Sequence, residues 1–68
     1  MTELIFEVRE APEGGFTAKA LTVSIHTEAD TLDALKENIR DAVRCHFEPG
    51  TEPKQLRLII VREETIAA

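Results

Sequence analysis

One stretch of this chain repeats its apolar residues at helical spacing, so a single helix has to cover whatever sheet the rest can build. Leu32, Leu35, Ile39, Ala42 and Val43 recur at the three- and four-residue intervals that line one face of an α-helix. Asp30-Thr31 stand just before them, where a side-chain oxygen accepts an otherwise orphaned backbone N–H. Asp33 adds negative charge at the positive end of the helix dipole, and Arg44 and His46 add positive charge at the other end. Lys36, Glu37, Arg40, Asp41 and Arg44 fill the polar side, with Lys36, Arg40 and Arg44 forming a basic row at four-residue spacing. Pro49-Gly50 ends the run.

The remaining segments alternate with period two, the signature of half-buried strands. In the first, Leu4, Phe6 and Val8 share a face and Ile5 and Glu7 the other. Ala11-Pro12-Glu13-Gly14-Gly15 breaks it, because Pro12 lacks an N–H and the glycine pair accepts positive φ. A hairpin turn is expected there, since a second alternating run follows directly. That run is Phe16 to Leu21, with Phe16, Ala18 and Ala20 on one face and Thr17, Lys19 and Leu21 on the other. A third run, Thr22 to Thr27, sets Val23 and Ile25 against Ser24 and His26. With no strong breaker between them, the two runs form one long bent strand or two strands joined near Leu21-Thr22.

The last run, Gln55 to Arg62, has apolar residues on both faces: Leu56, Leu58 and Ile60 on one, Ile59 and Val61 with Arg57 on the other. Such a strand usually lies inside a sheet or is covered twice. One helix covers one side. Ile5 and Leu21 add to the surplus, so Ile5, Leu21, Ile59 and Val61 are the expected interface of a homodimer or higher oligomer. The expected architecture is α+β, in the order β-β-β-α-β: a mixed, mostly antiparallel sheet with one helix on one face, in a single domain over residues 1–68. Glu63 to Ala68 is expected to be a loose tail, with Ile66 the residue to look for against the body.

A chain of 68 residues buries only a modest core. The single cysteine allows no internal disulfide, and self-association is the support that remains. The balance of 13 acidic to 8 basic residues, net −5, contains no Lys/Arg run to neutralise phosphates, so direct nucleic-acid binding is not expected. A basic protein partner would be attracted. The longest apolar run, Leu58 to Val61, is far too short to span a membrane. The N-terminus shows no secretory signal pattern, which with the unpaired Cys45 suggests the cytoplasm.

No catalytic, cofactor or metal site is expected. Cys45 and His46 are adjacent, and helical neighbours point about 100° apart, so they form no nucleophile–base pair. Cys45 reads as a small, partly buried residue, His46 as a dipole partner or surface group, and His26 as a solvated strand residue. Glu7, Glu10 and Glu13 lack the burial that separates the pKa values of paired catalytic carboxylates. Gly14-Gly15 has neither the spacing nor the Lys of a phosphate loop. Of the three Phe residues, Phe6 and Phe16 fit the core and Phe47 the helix end.

The order of these features resembles the HicB-like antitoxin family. The resemblance rests on the turn Glu13-Gly14-Gly15-Phe16, on Thr27-Glu28-Ala29-Asp30-Thr31-Leu32 at the helix start, and on Leu35-Lys36-Glu37-Asn38-Ile39-Arg40-Asp41-Ala42 in its body. It covers residues 4 to 61. It implies a reduced RNase H-like arrangement and neutralisation of a HicA-type toxin, a small basic mRNA-cleaving ribonuclease. This sequence departs from the family pattern in three places. Leu21-Thr22-Val23-Ser24 stands where Pro-Gly is usual, Ala29 replaces Gly and Ala34 replaces Glu. The family's C-terminal DNA-binding domain is not seen in this sequence, so operator binding is not carried over. The alternative is an orphan member that self-associates and binds no toxin. Assignment as a branched-chain 2-oxo acid dehydrogenase subunit, which short relatives of this kind sometimes carry, does not fit, because no Gly-Asp-Gly diphosphate–metal motif is present.

Overall fold

Alternation at the N-terminus produces the middle of the sheet. The structure, a computed structural model, describes residues 2–68; Met1 lies outside the described residues. Strand β1 (Glu3–Glu10) sends Leu4, Phe6 and Val8 into the core, where they are fully buried. The Ala11–Gly15 turn folds back through Ala11 N–H donating to the Gly15 carbonyl and Gly14 N–H to the Ala11 carbonyl. β2 (Phe16–Ala20) then pairs antiparallel with β1, setting Ala18 opposite Val8 and Ala20 opposite Phe6. Gly15 is required here twice over. Its φ is +80°, and a Cβ would lie 2.8 Å from the Ala29 carbonyl oxygen.

The third strand starts later than alternation suggests. β3 is His26–Ala29, and 21–25 is the connection. Ala20 N–H donates to the Ile25 carbonyl and Ile25 N–H to the Val23 carbonyl, so the chain reverses before pairing resumes. Ile25 is buried at this corner. Its apolar side chain is therefore spent on closing the end of the core, not on a longer strand. β3 pairs antiparallel with β2, with His26 opposite Lys19.

Helix α1 (Leu32–His46) is capped by Thr31, whose Oγ1 accepts from Ala34 N–H at 3.1 Å. Leu35, Ile39 and Val43 are buried against β1 and β2 residues, and Phe47 N–H closes the last turn onto the Val43 carbonyl. Each fully buried aliphatic side chain of this kind contributes about 1.5–3 kcal/mol. Cys45, expected to be partly buried, is exposed. It lies two residues past Val43, about 200° around the helix, which turns it away from the sheet.

β4 (Gln55–Val61) pairs in parallel with β1, giving a four-stranded mixed sheet of order β3-β2-β1-β4. The expected β-β-β-α-β α+β architecture is present. The place of β4 in it is a correction: a strand apolar on both faces lies at the edge. The β1–β2–β3 meander occupies one side of β1, so the other side is the position open to the returning chain. The helix also sits off centre, closest to β3 and then β2, with β1 and β4 farther away. Beyond Val61 there is no regular structure, and Ile66 is 86% exposed, so it does not dock.

Candidate interaction surface

Parallel pairing with β1 fixes which residues β4 presents on each side. On the helix side, Leu56, Leu58 and Ile60 stand beside Leu4, Phe6 and Val8. Because the backbone of α1 lies nearer β3 and β2, this row is only partly covered: Leu56 and Leu58 pack against the core and Ile60 is exposed. A groove of about 260 Å³ runs between helix and strand, lined by Lys36, Ile39, Arg40, Leu56 and Leu58. Ile60, the last apolar residue of this row, is 45% exposed.

The opposite face carries no helix. Successive rows across it read Arg57–Ile5, then Ile59–Glu7–Lys19–His26, then Val61–Arg9–Thr17–Glu28. Leu21 stands beside Ile5, its N–H donating to the Ile5 carbonyl at 3.0 Å. All four sequence-derived interface residues therefore share this face. Leu21 is 51% and Ile59 46% exposed, while Ile5 and Val61 are half-buried. Ile59 and Val61 make the β4 side of this face apolar, Leu21 adds to it just past the end of β2, and the rest of the β2–β3 side is polar. On the helix side Ile60 is exposed as well, and Leu56 and Leu58 are only partly buried. Alternation assigns them to the helix, and only the lateral offset of α1 leaves them open.

Ion pairs tie β4 to β1 without covering it. Arg57 reaches Glu3 at 2.9 Å and Arg62 reaches Glu10 at 3.1 Å, near opposite ends of the strand. Arg9 pairs with Glu7 at 3.0 Å between them. Such exposed pairs contribute only about 0–1 kcal/mol each. Along 56–61, no hydrogen bond from the outward backbone groups to another described residue is seen. The other edge differs: Asn38 Nδ2 donates to the Glu28 carbonyl of β3 at 3.0 Å.

The titratable side chains are dispersed. His26 lies on the open face in line with Lys19 and Glu7. His46 is exposed at the helix end, its ring edge-on to Phe47 at 4.9 Å. Among the described residues, no three His, Cys, Asp or Glu side chains gather in a metal-ligating group. Among the described residues, no helix is long and apolar enough to cross a membrane.

Two relatives are similar to this chain in sequence. The chain is 53% identical over 51 residues to a UPF0150 protein of Archaeoglobus fulgidus, spanning 75% of this chain and 76% of that one. This chain belongs to the UPF0150 family. A second UPF0150 protein, from Thermotoga maritima, is 42% identical over 65 residues, covering 96% of this chain and 91% of its own length. The longer alignment takes in almost the whole sheet-and-helix unit, β4 included. No family model matches the chain. No solved structure matches it.

Proposed function

We propose that this UPF0150 protein is a HicB-like protein-interaction module of the cytoplasm, which self-associates and neutralises a HicA-type toxin, a small basic mRNA-cleaving ribonuclease, by direct binding. The observation that carries this reading is β4, a seven-residue strand apolar on both faces that lies at the sheet edge with Ile59 and Ile60 exposed. Exposed contiguous apolar surface of this kind is characteristic of association sites. The net charge of −5 suits a basic partner.

A titration tests the toxin. Increasing amounts of the protein are added to a HicA-type ribonuclease acting on RNA. The expected result is protection that saturates at a fixed stoichiometry. Undiminished cleavage at saturating protein excludes neutralisation of that toxin. The same β4 supports a second reading, in which the protein associates only with itself, and that outcome of the titration would favour it.

A further inference from the structure

Two of the exposed large apolar residues, Ile59 and Ile60, are neighbours on β4 and so lie one on each of its faces, beside a row of backbone groups with no partner among the described residues. A surface that is apolar above and below an open hydrogen-bonding edge is shaped for another strand. A globular surface laid flat against either face would leave the other face and the edge groups uncovered. Sheet edges that are not meant to pair are generally short, charged, proline-bearing or covered. β4 has seven residues, one charge that Glu3 already engages, and no proline or glycine.

We propose that the occupant is the β4 of a second copy, paired edge to edge and antiparallel about a two-fold axis at Ile59. Two such copies make one continuous sheet with both helices on the same side. An axis perpendicular to the sheet keeps each residue on its own face, so helix-side residues meet helix-side residues.

Cross-strand chemistry then selects the register. Centred on Arg57, the pairing sets two guanidinium groups against each other. Centred on Leu58, it sets Lys54 opposite Arg62 of the second copy. Like charges directly opposite are destabilising. Centred on Ile60, it keeps Ile60 against Ile60 and Ile59 against Val61 but sets both Leu58 residues opposite Arg62 and both Leu56 residues opposite Glu64, which leaves one apolar pair on the helix side against two when the axis is at Ile59. Centred on Ile59, it joins Ile59 to Ile59, Leu58 to Ile60 twice on the helix side, and the Arg57 stem to Val61 on the open side, with Leu56 opposite Arg62 only at the strand ends. Beyond the strand ends it sets Lys54 opposite Glu64, an opposite-charge pair made twice by symmetry. The assembly satisfies the free backbone edge, extends apolar contact on both faces of β4 and pairs charge with charge.

This inference rests on the self-association in the reading above and is independent of the toxin. It predicts a light-scattering mass twice the 7.6 kDa of the chain. It also predicts a site-specific crosslink, because only position 59 meets its own copy. Facing Cα atoms in antiparallel strands lie about 4.5–5.5 Å apart, within disulfide range. In full-length protein carrying Cys45→Ser, mild oxidation should link Ile59→Cys chains into covalent dimers roughly tenfold faster than Leu58→Cys or Ile60→Cys chains. A monomeric mass for the unmodified protein at micromolar concentration overturns the proposal. So does a dimeric mass with the fastest crosslink at 58 or 60, or with none at 59 while circular dichroism shows the variant folded. If the crosslink forms and a HicA-type toxin still cleaves RNA, the toxin reading alone fails. Protection by a monomer removes the dimer and leaves the toxin reading in place.

Discussion

At one border of the sheet β3 runs for four residues, carries His26 and Glu28 on its open side, and has its Glu28 carbonyl occupied by Asn38 from the helix. At the other border β4 runs for seven residues, is apolar on both sides, and has nothing bound to its outer backbone among the described residues. The same helix explains both. Its backbone approaches β3 and β2 more closely than β1 and β4, so Asn38 reaches the Glu28 carbonyl at one edge while Leu56 and Leu58 at the other are only partly buried. A sheet with one guarded and one open edge has a direction of growth. The contrast separates residues that hold the monomer together from residues whose apolar surface is available to a partner.

The largest effect should come from the sheltered half. Leu35→Ala removes a fully buried side chain and should lower unfolding stability by about 2–5 kcal/mol, to the same extent at every protein concentration. Leu58→Ala, in the half-covered row, should cost the monomer less and show a concentration-dependent part. Urea titrations at two concentrations tenfold apart distinguish these behaviours. Equal, concentration-independent losses at the two positions would break the comparison.

Gly15→Ala should follow at about 1–3 kcal/mol, since it forces a side chain into positive φ and toward the Ala29 carbonyl where β2 and β3 meet. Thermal unfolding measures it, and an unchanged midpoint would show that the turn relaxes. Next in size, Ile59→Glu should weaken self-association by at least about 1.4 kcal/mol, a tenfold change in dissociation constant, with circular dichroism unaltered. Sedimentation equilibrium reads the first and separates it from unfolding. The smallest effect is expected at the guarded edge. Asn38→Ala removes one exposed hydrogen bond to Glu28 and should cost about 0.5–1 kcal/mol. If that variant also gains a new association in sedimentation, Asn38 guards the β3 edge as well as stabilising it.

Much of the architecture was legible because it follows from local periodicity. Alternation of Leu4, Phe6 and Val8 is enough to place a strand and its buried face. Leu35, Ile39 and Val43 at four-residue spacing specify the helix and its stripe. The N-terminal helix boundary was legible to within one residue, with Thr31 rather than Asp30 supplying the cap oxygen. Other features depended on partners that no local pattern names. Val23 and Ile25 alternate like strand residues, yet they turn a corner, because Ile25 is needed to close the end of the core. Cys45 looks small enough to bury and is exposed, because the helix rotation that buries Val43 turns it outward.

The candidate surface divides in the same way. That Ile5, Leu21, Ile59 and Val61 share an unshielded face was readable from parity alone, since side chains alternate along a strand with period two. That Leu56, Leu58 and Ile60 are also left partly open was not, since their parity assigns them to the helix.

By itself, then, the sequence determined the elements, the face each residue takes within them, and an excess of apolar faces over the one helix that could cover them. Tertiary structure alone decided where that excess went. Strand order and the lateral position of the helix arise from non-local pairing: β2 takes one side of β1, β4 is left with the other, and the helix settles over β3 and β2. Local periodicity is blind to that choice, because a strand alternates identically in the middle of a sheet and at its edge.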